Sequence, residues 1–87
     1  MTISYKGMAK DYEYRVAEIC YNEDDKKDTE LAERVAFFLT RIKGWDIDTC
    51  VPGWMCCQVE NMDEYKVFKK DYKEAKKMFL NCMKYGF

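Results

Sequence analysis

Hydrophobic positions in the last third of the chain recur at alternating spacings of three and four. Tyr65, Phe68, Tyr72, Ala75, Phe79 and Cys82 draw a single apolar stripe, which predicts a long C-terminal helix within Asn61–Phe87. Asn61 is its expected cap, Asp63 and Glu64 occupy its first turn, and Gly86 follows its end. A second helical stripe is Leu31, Val35, Phe38 and Ile42, with Leu39 at its margin and Phe37 well off it. Asp28 or Thr29 is the expected cap of that helix, and Gly44 its left-handed terminator.

The other segments alternate with a period of two. In Trp45–Val51, Trp45, Ile47, Thr49 and Val51 share one predicted face, and Asp46, Asp48 and Cys50 the other. Trp54–Glu60 is the most strand-like stretch. Pro52-Gly53 between them signals a type II turn, whose twist suits a loop wider than two residues. Thr2–Tyr5 reads as an edge strand. Asp11–Tyr21 fits both periods, and its tyrosines and missing cap favour a strand, with a bulge at the break in alternation at Ala17–Glu18. Asn22–Lys27 is a polar loop. The expected fold is α+β, in β-β-α-β-β-α order: a small antiparallel sheet of three to four strands with two amphipathic helices packed on it, as one domain over residues 1–87.

Charge adds an asymmetry that a net charge of −1 conceals. Residues 1–60 carry eight Lys and Arg against twelve Asp and Glu, and residues 61–87 seven Lys against four acids. The body is therefore acidic and the last helix basic. At ~100° per residue, Lys66, Lys69, Lys70, Lys73, Lys76 and Lys77 fill one sector of roughly 120° beside the apolar stripe. Such a row can follow phosphates or meet an acidic protein surface. As a solvated face it would be partly neutralised by i,i+4 partners such as Asp71 and Glu74. With no arginine after Arg41, bidentate reading of guanine is not expected.

Catalytic equipment is sparse. Histidine is absent, Ser4 is the lone serine, and the glycines are isolated, so no catalytic triad, phosphate loop or cofactor motif is expected. Asp46-x-Asp48 places two carboxylates on one predicted strand face, but solvated strand residues account for them, and no metal site is expected. The five cysteines, Cys20, Cys50, Cys56, Cys57 and Cys82, form neither a secreted framework nor a CxxC knuckle. They read as core thiols of a reducing, cytoplasmic compartment. Neither a leader peptide nor a membrane-spanning run is expected.

The expected role is thus a non-enzymatic protein-interaction module without a cofactor. The acidic candidates for its surface are Glu23, Asp24, Asp25, Asp46 and Asp48, and the aromatic ones Tyr14, Tyr21, Phe37 and Trp54. In size, charge layout and lack of catalytic residues the chain resembles compact phage-encoded inhibitors of host defence complexes, anti-CRISPR proteins among them. That resemblance of general make-up implies a nucleoprotein effector complex as partner, in the host cytosol, with acids standing in for nucleic-acid phosphates. Direct nucleic-acid binding through the lysine row is the alternative. Heptad-like spacing of the apolar stripe is also compatible with a homodimer.

Overall fold

The computed structural model describes residues 1–6 and 15–84, without the side chains of Cys50 and residues 82–84. Strands β1 (Thr2–Lys6), β2 (Val16–Cys20), β3 (Ile47–Val51) and β4 (Trp54–Gln58) form one antiparallel sheet in the order β1-β2-β4-β3. Helix α1 (Lys26–Phe37) continues into a π-helical turn, Phe38–Ile42, and helix α2 (Met62–Lys84) is the last described element. The order is β-β-α-β-β-α, as the sequence predicts. Tyr12, Tyr14 and Gly86, to which the sequence gives roles, lie outside the described residues.

One sheet face carries the core. Ile3, Tyr5, Ala17, Ile19, Ile47, Met55 and Cys57 point toward the helices and pack with Leu31, Ala32, Val35 and Leu39 of α1 and its π turn. Tyr65, Phe68, Tyr72 and Ala75 of α2 complete the cluster, with Phe79 half-buried at its rim. The predicted stripe of α2 is therefore its buried face. From Tyr65 to Ala75 it is consumed by packing within the chain.

Helix α2 starts as the sequence predicts, with the Asn61 side chain accepting from the Glu64 amide at 2.9 Å. Helix α1 starts earlier than expected. Its cap is Asp25, whose Oδ1 accepts from the amides of Lys27 (3.0 Å) and Asp28 (3.3 Å). Asp28 is occupied elsewhere: it accepts from the Asn22 amide at 2.8 Å and meets the ammonium of Met1 at 3.3 Å. Thr29 closes the loop from the other side, donating to the carbonyls of Asn22 and Glu23. Three short polar residues compete for one cap here, and loop closure assigns it to Asp25.

The predicted stripe of α1 also changes at its end. Leu39, placed at the margin by the periodicity, is fully buried, whereas Ile42 is 65% exposed. The Lys43 amide reaches back five residues to the Phe38 carbonyl at 3.2 Å, and the Trp45 amide reaches Leu39 at 2.9 Å. A turn closed over five residues advances each one by less than the ~100° of an α-helix. Ile42 thus lags behind its α-helical position and leaves the buried arc. Gly44 ends the element at φ +79°, with open space around it, so its backbone conformation alone calls for glycine.

Two strand expectations are also corrected. Ala17–Glu18 holds no bulge, because β2 pairs in unbroken register with both neighbours. The irregularity is on β3, where the register shifts between Asp48 and Val51. Val51 pairs directly with Trp54 across Pro52-Gly53, so the hairpin loop is two residues long. Gly53 has φ +82°, as a type II turn needs at that position, and the irregular strand beside it absorbs the twist mismatch. The same shift separates Val51 from its predicted partners: Trp45 and Ile47 reach the core, while Val51 is exposed. A Cβ on Gly53 would lie 3.3 Å from the Tyr21 carbonyl, so the hairpin tip fits closely against the end of β2.

Candidate interaction surfaces

Charge is segregated across the molecule. Helix α2 runs along β1 in the opposite direction: Tyr65 packs edge-on against Tyr5 (centroids 5.0 Å apart), and the Lys76 ammonium reaches the Met1 carbonyl at 3.4 Å. The side of α2 that carries Lys66, Lys69, Lys73 and Lys76 therefore borders the β1 edge. Its opposite side faces the π turn. There Asp71 accepts from the Trp45 indole N–H at 2.9 Å, and Lys43 sits 3.8 Å from Asp71 and 3.3 Å from Glu74.

This arrangement alters the expected neutralisation of the lysine row. Asp71 and Glu74 face Lys43, and no ion pair to a described residue holds Lys66, Lys69, Lys70, Lys73 or Lys77. Four of these are exposed and Lys69 is half-buried. Lys76 is half-buried too, with its ammonium 6.0 Å from the Tyr72 ring centroid. The role of Lys43 was hidden in the sequence, where it reads simply as a last-turn cation.

The acidic candidates fall into two groups. Glu23, Asp24 and Asp25 share the exposed β2–α1 loop, which Asn22 shapes by accepting from the Asp24 amide at 3.0 Å. Asp25 is committed to the helix cap, so it is part of the frame as well as of the surface. Beside this loop, Glu30 and Glu33 line a shallow depression together with Glu23 and Asp24. Asp46 and Asp48 are exposed at the other sheet edge, Asp46 just before β3 and Asp48 opposite Cys56.

The aromatic candidates are not equivalent. Phe37 is 61% exposed. Tyr21 is half-buried against the core, and Trp54 is half-buried next to Cys20 and Val51. Tyr14 lies outside the described residues. The surplus aromatics are mostly structural: Tyr65 and Tyr72 are buried, and Trp45 stacks edge-on with Phe68 at 5.1 Å. At ~100° per residue, Glu30, Glu33 and Phe37 fall within a ~60° sector on the outer side of α1, together with Lys26, and Glu30 is paired with Arg34 at 2.8 Å. The sequence contains that alignment, but Phe37 alone does not reveal whether another element covers it.

Cys56 and Cys57 offer little reactivity. Cys57 is buried, and burial pushes its thiol up to about 11. Cys56 is raised as well, first by burial and then by the nearby Asp48 and Glu18 carboxylates. Both stay protonated at neutral pH, unlike the thiolate that nucleophilic or metal chemistry requires. Among the described residues, no group of three or more Cys, Asp or Glu is placed to hold a metal. Likewise, no helix is long and apolar enough to cross a membrane.

Two buried polar groups escape sequence reasoning. Glu18 is only 7% exposed although it belongs to the sheet face turned away from the helices. Tyr72 buries its hydroxyl without a hydrogen-bond partner among the described residues, and burial pushes that hydroxyl up to about 12. Neither has a local sequence signal, since each depends on what packs around it. Compared with protein-family models, curated proteins and solved structures, the chain matches none.

Proposed function

We propose that the protein is a non-enzymatic protein-interaction module, of the kind a phage or mobile element uses to block a nucleic-acid-handling complex. The acidic and aromatic outer side of α1, with the adjoining Glu23–Asp24 loop, is the contact surface. The observation that carries this reading is Phe37, a large aromatic side chain left 61% exposed in line with Glu30 and Glu33. Aromatic anchors rimmed by charge are the usual energetic centre of a protein interface. Carboxylates on either side suit a basic groove that otherwise holds phosphates, and they favour rapid, salt-sensitive encounter.

Quantitative affinity capture from the native host tests this. Wild-type protein is compared as bait with Phe37→Ala and with Glu30→Lys/Glu33→Lys. Wild type is expected to retain a nucleoprotein component that both variants lose. Equal capture by all three baits places the interface elsewhere.

A second reading, a weak nucleic-acid-binding accessory, has one observation in its favour: five lysines of α2 without an ion-pair partner among the described residues. Titration with short duplex and single strands at low salt decides it, because phosphate contacts would give binding that falls steeply with added salt.

A further inference from the structure

The two edges of the sheet are not alike. β3 is interrupted by its register shift and followed by Pro52, both of which disfavour pairing with another strand. β1 differs: its five residues pair with β2 in unbroken register, contain no proline, and have no strand on their outer side among the described residues. Alongside runs the lysine row of α2, with Lys66, Lys69, Lys73 and Lys76 inside a sector of roughly 80°. The contacts Tyr65–Tyr5 and Lys76–Met1 bring that row to this edge along the whole strand.

We infer that β1 accepts an extended acidic segment of a partner protein as a fifth strand, with the partner's carboxylates turned toward the α2 lysines. Backbone pairing to the free edge supplies the affinity, and the lysines select the charge. Alternate side chains of a strand stand ~6.6 Å apart on one face, and Lys66, Lys69 and Lys73 are spaced by ~4.5 and ~6 Å of helical rise. Two or three alternating acids can therefore meet the row. A second copy of this chain fits the edge poorly. Antiparallel pairing of two β1 strands would bring two lysine rows, and Lys6 from each copy, to one seam. The inference does not depend on the acidic surface of α1, since it uses none of Glu23, Asp24, Glu30, Glu33 or Phe37.

The test is fluorescence anisotropy with a labelled ten-residue peptide alternating Glu and Thr. Two versions of it are N-methylated, each on one of the two alternate sets of amides. A Lys–Thr peptide and short single- and double-stranded oligonucleotides complete the set. The Glu–Thr peptide is expected to bind and the Lys–Thr peptide not to. One of the two N-methylated versions should bind at least about tenfold more weakly, because one edge of the peptide supplies the ladder. Lys69→Glu/Lys73→Glu should weaken the unmodified peptide by a similar factor with an unchanged circular dichroism spectrum. Amides within Thr2–Lys6 should gain hydrogen-exchange protection on addition of the peptide. Equal binding by both methylated versions would mean contact by charge alone and overturn the inference. So would tighter binding of either oligonucleotide, or no binding of the Glu–Thr peptide at low salt.

Discussion

The half of the molecule built on β1 and α2 is regular, and the half built on α1 and β3 is not. On the regular side, the apolar stripe of α2 continues from Tyr65 to Phe79 without interruption, and β1 pairs without a break. On the other side, a π turn redirects the end of α1 and a register shift redirects the end of β3. The exposed apolar residues of that side, Phe37, Ile42 and Val51, lie within or next to these irregularities. Charge follows the same division, with lysines along the regular side and acids along the irregular one. Among the described residues, the regular side leaves β1 without an outer neighbour and five lysines without an ion pair. Irregularity interrupts the β3 edge and turns Ile42 and Val51 away from the core, as π-bulges and β-bulges do, whereas the exposed apolar residues of α2 (Met62, Val67, Met78 and Leu80) simply occupy its outer face.

The contrast is sharpest in the core. Phe68→Ala, on the regular side, should cost about 3–5 kcal/mol, and Leu39→Ala, at the π turn, about 2–5 kcal/mol in urea unfolding. Ile42→Ala should stay within about 0.5 kcal/mol, as an exposed change does. An Ile42 cost equal to that of Leu39 would restore the α-helical stripe and remove the π turn from the argument.

A smaller difference separates the two walls of α2. Asp71→Ala strips the Trp45 indole of its acceptor and Lys43 of a partner, and should cost about 1–3 kcal/mol. Lys73→Ala should change stability by less than about 0.5 kcal/mol. Equal losses would mean that the lysine row is structural and not left free for a ligand.

Next in size is the cap. Asp25→Ala should cost about 1 kcal/mol, and Asp28→Ala should not reproduce that loss at the helix start. Amide exchange at Lys27 and Asp28 distinguishes them, since only removal of Asp25 frees both amides.

The smallest effect is a gain. Tyr72→Phe removes a buried hydroxyl that bonds to no described residue, and should leave stability unchanged or raise it by about 1 kcal/mol. Its pH signature has a definite sign. The Tyr72 hydroxyl is raised from 10 to about 12 by burial, so the fold favours the protonated form. That contribution is complete below pH 10 and is lost as pH rises through 12. Cys57, raised from 9 to about 11, adds the earlier part of the same alkaline loss. Thermal unfolding from pH 8 to 12 should show a decline that Tyr72→Phe shortens at its upper end. A profile identical to wild type would mean that Tyr72 ionises as freely when folded as when unfolded.

Most of the architecture was legible in the chain. Local pattern determined the α2 stripe, the four strands, the Gly44 terminator and the division of charge, because each depends on residues near one another in sequence. Asn61 was legible as a cap because it stands at the head of the α2 pattern with acids in the turn that follows, whereas Asp25, Asp28 and Thr29 compete, and only the folded loop chooses among them. The end of α1, the short Pro52-Gly53 hairpin and the burial of Glu18 were decided by tertiary structure. A π turn and a strand irregularity are small local rearrangements that periodicity cannot encode, and they form where packing against other elements outweighs the local pattern. The same holds for the surfaces. Sequence supplied six lysines in one sector, but only the fold sets four of them beside β1 and turns Asp71 and Glu74 toward Lys43.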